Sequence, residues 1–328
     1  MAFGNARRVA GVTVAGLLMA GCVARGGSSP GGSPDLSRPP RVDYHQHLVS
    51  PAFAPIVQLP ARDARALLAD LDAAGIARAV VLSVGYSFAD ERKNLPDPDQ
   101  LTRTENDYTS AQVATSGGRL IGFCSANPLR AAALDEIARC LSLPGMRGIK
   151  LHFGNGGVSL RNPAHATRLA EFFALAEQRR AAVLVHMRAR GGAEYGAADA
   201  TLFLDRLVTA APTVDIVVAH LGGAGPGYPL QADSVMAVFG AAAERGDVRM
   251  RHVYFDVATA VTDESTTEEL ALVARRIRQV GARRVLYGSD LSPPGGSVAA
   301  GWRIFRARVP LTAAEFDTIA SNVTTFAR

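Results

Sequence analysis

Beyond its first two dozen residues, this chain has no run approaching the ~20 apolar residues that span a bilayer, so no further membrane-crossing helix is expected. Aromatic residues are scarce, at 6% with a single Trp, and there are only three cysteines. So few thiols cannot make a disulfide framework, and their spacing fits no zinc ribbon. Charge of one sign is also thin. The formal excess is +5, of which Arg7 and Arg8 supply two, and the rest is scattered without a basic block. Nucleic acid is therefore not an expected partner. No glycine-rich nucleotide fingerprint follows the first strand. Gly222, Gly223, Gly225 and Gly227 make a loop, but no Lys-Ser/Thr follows them as a phosphate-binding loop requires.

What is present divides the chain into three parts. Residues 1–21 and Cys22, "MAFGNARRVAGVTVAGLLMAGC", run from a short basic region through an apolar stretch to small residues before a cysteine. That is the layout of an export signal. Its ending, "LMAGC", resembles a bacterial lipobox with Met19 where leucine is usual, which implies a lipidated Cys22 as the mature N-terminus. Residues 23–41, "VARGGSSPGGSPDLSRPPR", are rich in Gly, Ser and Pro and have almost nothing to bury, so residues 22–41 read as a lipid-linked flexible tether. The expected location is outside the cytoplasm, on a membrane facing the periplasm or the cell surface. Cys124 and Cys140, on a predicted strand and a predicted helix, are expected to be buried free thiols, with one bridge as the oxidising-compartment alternative.

From residue 42 to residue 328, short apolar runs alternate with amphipathic helical patterns. The runs are "RVDYHQHLV", "ARAVVLSVG", "LIGFCSANP", "RGIKLHF", "AAVLVHM", "DIVVAHLGG", "HVYFDVAT" and "RVLYGSDLS". Near-continuous apolar strands, each followed by a helix-length segment, indicate a parallel sheet buried on both faces. Eight such units in one domain of this size match a (β/α)8 barrel better than an open doubly wound sheet. The charged stretch from Phe88 to Thr104 after the second strand is long enough for a lid or an interface.

Polar residues fall where these strands end. Lys150, His186, His220, Asp256 and Asp290 follow one another at steps of 36, 34, 36 and 34 residues. One βα unit per step would put all five on the rim where barrel active sites are built. Strand one adds Asp43, His45 and His47 at alternate positions, which in a regular strand share one face. Imidazoles and a carboxylate converging on one point are ligands for zinc or a similar divalent ion. His45 and His47 would reach it from strand one, His186 from strand five and Asp290 from strand eight, with a position left for water. Asp43 could orient His45 or His186 from behind. Asp256 could do the same for a neighbouring ligand, or cap the following helix. His152 would share a face with Lys150, and Arg188, just past His186, could neutralise an acidic substrate group. His165 and His252 read as structural.

In this set of motifs the chain resembles the amidohydrolase superfamily, and within it the amidohydrolase-related group of metal-dependent TIM-barrel hydrolases. Asp43-x-His45-x-His47, "GIKLH", "LVHM", "VVAHLGG", "VYFDVAT" and "YGSD" occur in the order of that group, and "SNVTTFA" resembles its closing segment. The resemblance implies that His45, His47, His186 and Asp290 bind metal, that Asp290 also takes a proton from water, and that His220 serves as acid, base or polarising group. It further implies that Lys150 either binds a substrate carboxylate or, if carboxylated, bridges a second ion; one ion is the preferred layout. The expected activity is hydrolysis of a small-molecule ester, lactone or amide. The alternative is non-oxidative decarboxylation, or hydration, of an aromatic or unsaturated acid. A small molecule is thus the expected partner, membrane contact is confined to the N-terminal lipid, and nothing in the sequence opposes a homo-oligomer.

Overall fold

The computed structural model describes residues 38–188, 194–290 and 297–328. The export signal, Cys22 and most of the tether lie outside the described residues. From Arg38 onward the chain is already seated on the barrel. Trp302 Nε1 donates to the Arg38 carbonyl at 3.1 Å, and Arg41 N to the Ala320 carbonyl at 2.8 Å. Among the described residues no helix is long and apolar enough to cross a membrane.

Eight parallel strands pair in chain order. They are β1 (Val42–Gln46), β2 (Arg78–Leu82), β3 (Leu120–Ser125), β4 (Met146–His152), β5 (Ala182–His186), β6 (Ile216–Val218), β7 (Val253–Asp256) and β8 (Val285–Leu286). The first and last strands meet through Tyr44 N to the Tyr287 carbonyl and Asp290 N to the His45 carbonyl, both 2.8 Å, which closes the barrel. The expected (β/α)8 architecture is therefore observed.

The strands are buried on both faces over most of their length, which is why the runs read as nearly continuously apolar. Val42, Tyr44, Val80, Leu82, Phe123, Leu184, Val217 and Leu286 fill the barrel axis. Their outward neighbours pack beneath the helices α1 (Ala64–Ala74), α2 (Pro98–Ala114), α3 (Ala133–Cys140), α4 (Pro163–Arg179), α5 (Ala197–Leu202), α6 (Leu230–Glu244), α7 (Thr267–Val280), α8 (Val298–Arg308) and α9 (Ala313–Ser321). Local signals set the helix ends. Asp63 accepts from Ala66 N to start α1, and Gly75 ends it at φ +68°. Thr266 and Glu269 form a reciprocal cap on α7.

Three expectations change here. The stretch from Phe88 to Thr104 is not one long loop, because α2 begins at Pro98, behind the capping carboxylate of Asp97. Cys124 and Cys140 are not free thiols but a disulfide, with Cα atoms 5.9 Å apart. Phe123 points into the axis, so Cys124 points out toward α3, whose buried face is Ala133, Ile137 and Cys140.

The third change concerns β1. Asp43 pairs with Ala79 but Gln46 pairs with Val81, so three residue steps on β1 match two on β2. This bulge breaks the alternation. Tyr44 belongs to the axial cluster, and so Asp43 faces away from the axis, while His45 beyond the extra residue turns back to the mouth. Asp43 and His45 do not share a face.

A candidate metal centre at the barrel mouth

Three histidines at the C-terminal ends of the strands have the same second-layer arrangement. His45 Nδ1 meets Asp256 Oδ2 at 2.9 Å, His47 Nδ1 meets the Leu82 carbonyl at 2.8 Å, and His220 Nδ1 meets the Ala258 carbonyl at 2.8 Å. Each of these partners accepts, so each Nδ1 carries the hydrogen and each Nε2 is left with a lone pair. The three Nε2 atoms face one carboxylate. His45 and His47 stand 4.0 and 3.7 Å from Asp290 Oδ1, and His220 stands 3.9 Å from Asp290 Oδ2.

These spacings are too long for hydrogen bonds and suit a shared ion. Two donors on one ion with bonds of ~2.1 Å stand at most ~4.2 Å apart, a limit all three meet. The donor atoms of His45, His47 and Asp290 lie within 4.8 Å of one another. The residues therefore fit a divalent cation. Burial also keeps the imidazoles of His45, His47 and His186 in the binding form. It holds His45 and His186 well below the usual histidine range and brings His47 down to about 4. For Asp290 burial works upward, but His45, His220, His47 and Lys150 outweigh it and keep the carboxyl below its usual value.

The backbone is forced where these groups are presented. His220 and Asp290 sit in the left-handed region, at φ +54° and +44°, where residues with a Cβ are uncommon. Asp256 divides its carboxylate between two neighbours of the site. While Oδ2 holds His45, Oδ1 accepts from His220 N at 2.8 Å and Ala258 N at 3.1 Å. It caps no helix.

Asp43 supports the site differently from the expected way, touching neither imidazole. Its carboxylate takes four donors, from His45 N, Gln46 Nε2, Ser289 N and Ser289 Oγ, at 2.6–3.1 Å. It closes the seam between β1 and the segment after β8, where the bulge interrupts the ladder, and so fixes the backbones of His45 and of Ser289 beside Asp290. Burial pushes its carboxyl up to about 6 even so.

Lys150 is buried, with Nζ 3.3 Å from His45 Nε2, and burial lowers its ammonium to about 8. His186 lies outside the compact donor set. Its ring stacks on His152 at 3.9 Å, with a 14° interplanar angle, and stands 5.0 Å from His220. His152 lines the same cavity, lies against Tyr86 at 4.8 Å and accepts from Asn155 N. Arg188 is half-buried and does not line the cavity. Strand β5 ends at His186, two residues before Arg188. His165 and His252 are structural, bound to Ser159 N and Asp215 respectively.

The cavity above the histidines has a volume of about 470 Å3, within the ~300–1,000 Å3 range of small-molecule sites. Sequence reasoning missed much of its lining. Tyr86 comes from a helical turn just after β2, and Arg62 from the end of the long β1–α1 loop. The same loop supplies an apolar wall that includes Phe53, Val57 and Leu59. The only sequence signal for that wall was an apolar "SPAFAPIVQLP" between the first strand run and the first helix pattern.

Comparisons with known proteins agree with this fold. The chain resembles 5-carboxyvanillate decarboxylase from Novosphingobium aromaticivorans, solved with manganese and 4-hydroxy-3-methoxy-5-nitrobenzoic acid. The TM-score is 0.56 at 14% identity, covering 88% of this chain and 96% of that one. A probable 2-pyrone-4,6-dicarboxylic acid hydrolase from Acinetobacter baumannii superposes with a TM-score of 0.54 at 14% identity, covering 85% and 95%. For 4-oxalomesaconate hydratase from Rhodopseudomonas palustris the TM-score is 0.54 at 18% identity, covering 85% and 93%. At these identities the likeness establishes the fold alone. No curated protein sequence matches significantly. The sequence model described as amidohydrolase matches residues 42–322, nearly all of the barrel. The chain belongs to the amidohydrolase family of metal-dependent enzymes.

Proposed function

We propose that this enzyme hydrolyses an ester, lactone or amide of a small molecule. The observation that carries the reading is the convergence of three Nε2 lone pairs on Asp290 at the floor of the cavity. His45, His47 and Asp290 would hold a divalent ion, zinc being the ion best suited to two imidazoles and a carboxylate. His186 joins them once its ring leaves the stack on His152. One ion is preferred, with Lys150 as a cation rather than a carboxylated bridge. When bound, the ion supplies polarisation of the carbonyl and a more acidic water.

The chain's own residues divide the remaining work. Asp290, facing all three imidazoles, is placed to take a proton and pass it to the leaving group. His220 donates its Nδ1 hydrogen to Ala258, so its Nε2 must accept a proton before it can give one. That makes it a base first and an acid second, and not a polarising donor in its neutral form. The buried ammonium of Lys150 supports a negatively charged oxygen developing beside His45.

Lys150 also supports the second reading, decarboxylation or hydration of an unsaturated acid. A buried cation beside the ion-binding donors is suited to a substrate carboxylate. The hydrolase and hydratase likenesses above carry no weight for one reaction over the other. Incubating the metal-loaded enzyme with lactones, esters and amides against aromatic acids decides between them. Release of CO2 without net hydrolysis would overturn the first reading. For the ligand set, His186→Ala and Asp290→Ala should weaken metal retention, while His220→Ala should mainly lower turnover. Full activity and metal content in His186→Ala would remove that residue from the set. We further propose export and lipidation at Cys22. Mass spectrometry of the mature protein tests this, and an unmodified chain beginning at Met1 would exclude it.

A further inference from the structure

The cavity is two-sided. Its floor is polar, while the wall contributed by the β1–α1 loop and the second residue after β2 is apolar: Val49, Phe53, Val57, Leu59, Pro60 and Val84. This wall is preformed. Val49 and Arg62 pair as a short antiparallel bridge, with N···O distances of 3.0 and 2.9 Å, which pins the two ends of the loop together. Behind the wall, Phe53 packs on Phe88 with ring centroids 5.5 Å apart, and Val49 and Val84 complete the cluster. Ser50 Oγ ties the loop to Glu105 of α2 at 2.5 Å.

Charge is confined to the floor and one corner. Among the described lining residues the cations are Lys150 and Arg62. Lys150 stands against His45 at the floor. Arg62 is already paired with Asp70 at 2.5 Å and donates to Gln46 Oε1 at 3.0 Å. Among the described residues none along the wall offers a free partner to a carboxylate, and burying an unpaired charge against Phe53, Val57 and Leu59 would be costly. A hydrocarbon group there gains from the same surface.

We infer that the substrate carries an uncharged hydrocarbon moiety, aliphatic or aryl, that lies along the β1–α1 loop while its scissile carbonyl faces Asp290. The identity of the bond that breaks rests on the hydrolase reading; the hydrocarbon moiety rests on the wall. For a lactone the reaction is balanced by water alone. The acyl C–O bond breaks, water's oxygen forms the new acyl bond, and the ring oxygen leaves with a proton as a hydroxyl group. No oxidant or reductant is involved.

The test is a series of γ-lactones with alkyl side chains from methyl to hexyl, alongside analogues bearing a terminal carboxylate, given to the zinc-loaded enzyme. Each methylene that reaches the wall should raise kcat/KM about fourfold until the wall is covered. The carboxylate analogues should be poorer than alkyl lactones of equal length. Val57→Lys should shift that preference toward the carboxylate analogues by at least about tenfold. In parallel, calorimetric binding of straight-chain alkyl hydroxamates, from two to eight carbons, reads the wall without any turnover. No lactone turnover together with affinity that climbs with chain length would end the lactone form of the hydrolase reading and support the hydrocarbon moiety. Turnover or binding indifferent to chain length, or a wild-type preference for terminal carboxylates, would overturn the inference and leave hydrolysis standing. Should Val57→Lys fail to fold, the wild-type series decides alone.

Discussion

Glu105 offers a perturbation whose size and pH dependence both follow from the structure. It sits buried on α2, and its one side-chain hydrogen bond is from Ser50 Oγ, in the loop that walls the cavity. Burial pushes its carboxyl from 4.5 up to about 7, with Ser50 pulling weakly the other way. Between those values the folded chain binds a proton that the unfolded chain does not, so stability falls as pH rises through this window. At about 1.4 kcal/mol per unit, the gap of about 2.5 units is worth about 3 kcal/mol, lost by the time the pH exceeds 7. Glu105→Gln removes the charge while its amide oxygen can still accept from Ser50. At pH 4.5 the two proteins should differ only by a constant, set by how well the new amide NH2 is paired. Moving to pH 8 should then favour the variant by about 3 kcal/mol relative to that constant, roughly 5–10 °C in Tm. Thermal melts at matched ionic strength across pH 4.5–8 measure it. Parallel curves for wild type and Glu105→Gln would refute the reasoning, because they would mean that Glu105 ionises in the fold as readily as in water.

Three further outcomes are expected. Asp256→Asn leaves one acceptor atom where two are used, against His45 on one side and His220 N and Ala258 N on the other. Metal affinity should fall ~10–100-fold in a chelator competition, and unchanged affinity would remove Asp256 from its orienting role. Gly288→Ala would place a Cβ 2.7 Å from His45 Cβ and 3.1 Å from that of Ala258. His45 is fixed through both backbone groups, so the variant should lose ~1–3 kcal/mol and hold metal more weakly, as melts with and without zinc would record. The Cys124→Ala/Cys140→Ala double variant opens a loop spanning 16 residues. It should lose about 3 kcal/mol in urea denaturation, while full wild-type stability would show that the bridge does not constrain the unfolded chain.

The barrel was legible because strands buried on both faces leave long apolar runs, and because Lys150, His186, His220, Asp256 and Asp290 recur at one βα unit per step. The histidine floor was legible for the same reason. The rest depended on three-dimensional facts that spacing does not encode. Asp43-x-His45-x-His47 looks like an uninterrupted alternation, so nothing in it announces a bulge, and Asp43 was assigned to the wrong face. The acceptors for His47 and His220 are backbone carbonyls of Leu82 and Ala258, which have no side-chain signature. Cys140 faces Cys124 only because of how α3 lies on β3. The start of α2 was readable after all, since Asp97-Pro98 is a helix-opening pair, but the surrounding charge concealed it.

The extra residue in β1 also bears on how this site can change. A strand is ordinarily a ruler with two-residue marks, so residues can be exchanged along it without moving their neighbours. Here the ruler skips a mark, and adjacent Tyr44 and His45 both project toward the barrel interior, one as packing and one as chemistry. Deleting Tyr44 would restore the regular count and leave His45 alone in the place that it now shares with Tyr44, while every side chain needed for the centre remained in the sequence. The motif is thus a property of count as much as of composition. Grafting Asp-x-His-x-His onto a straight strand would keep the two histidines on one face but turn the aspartate onto it as well, away from the seam it closes here.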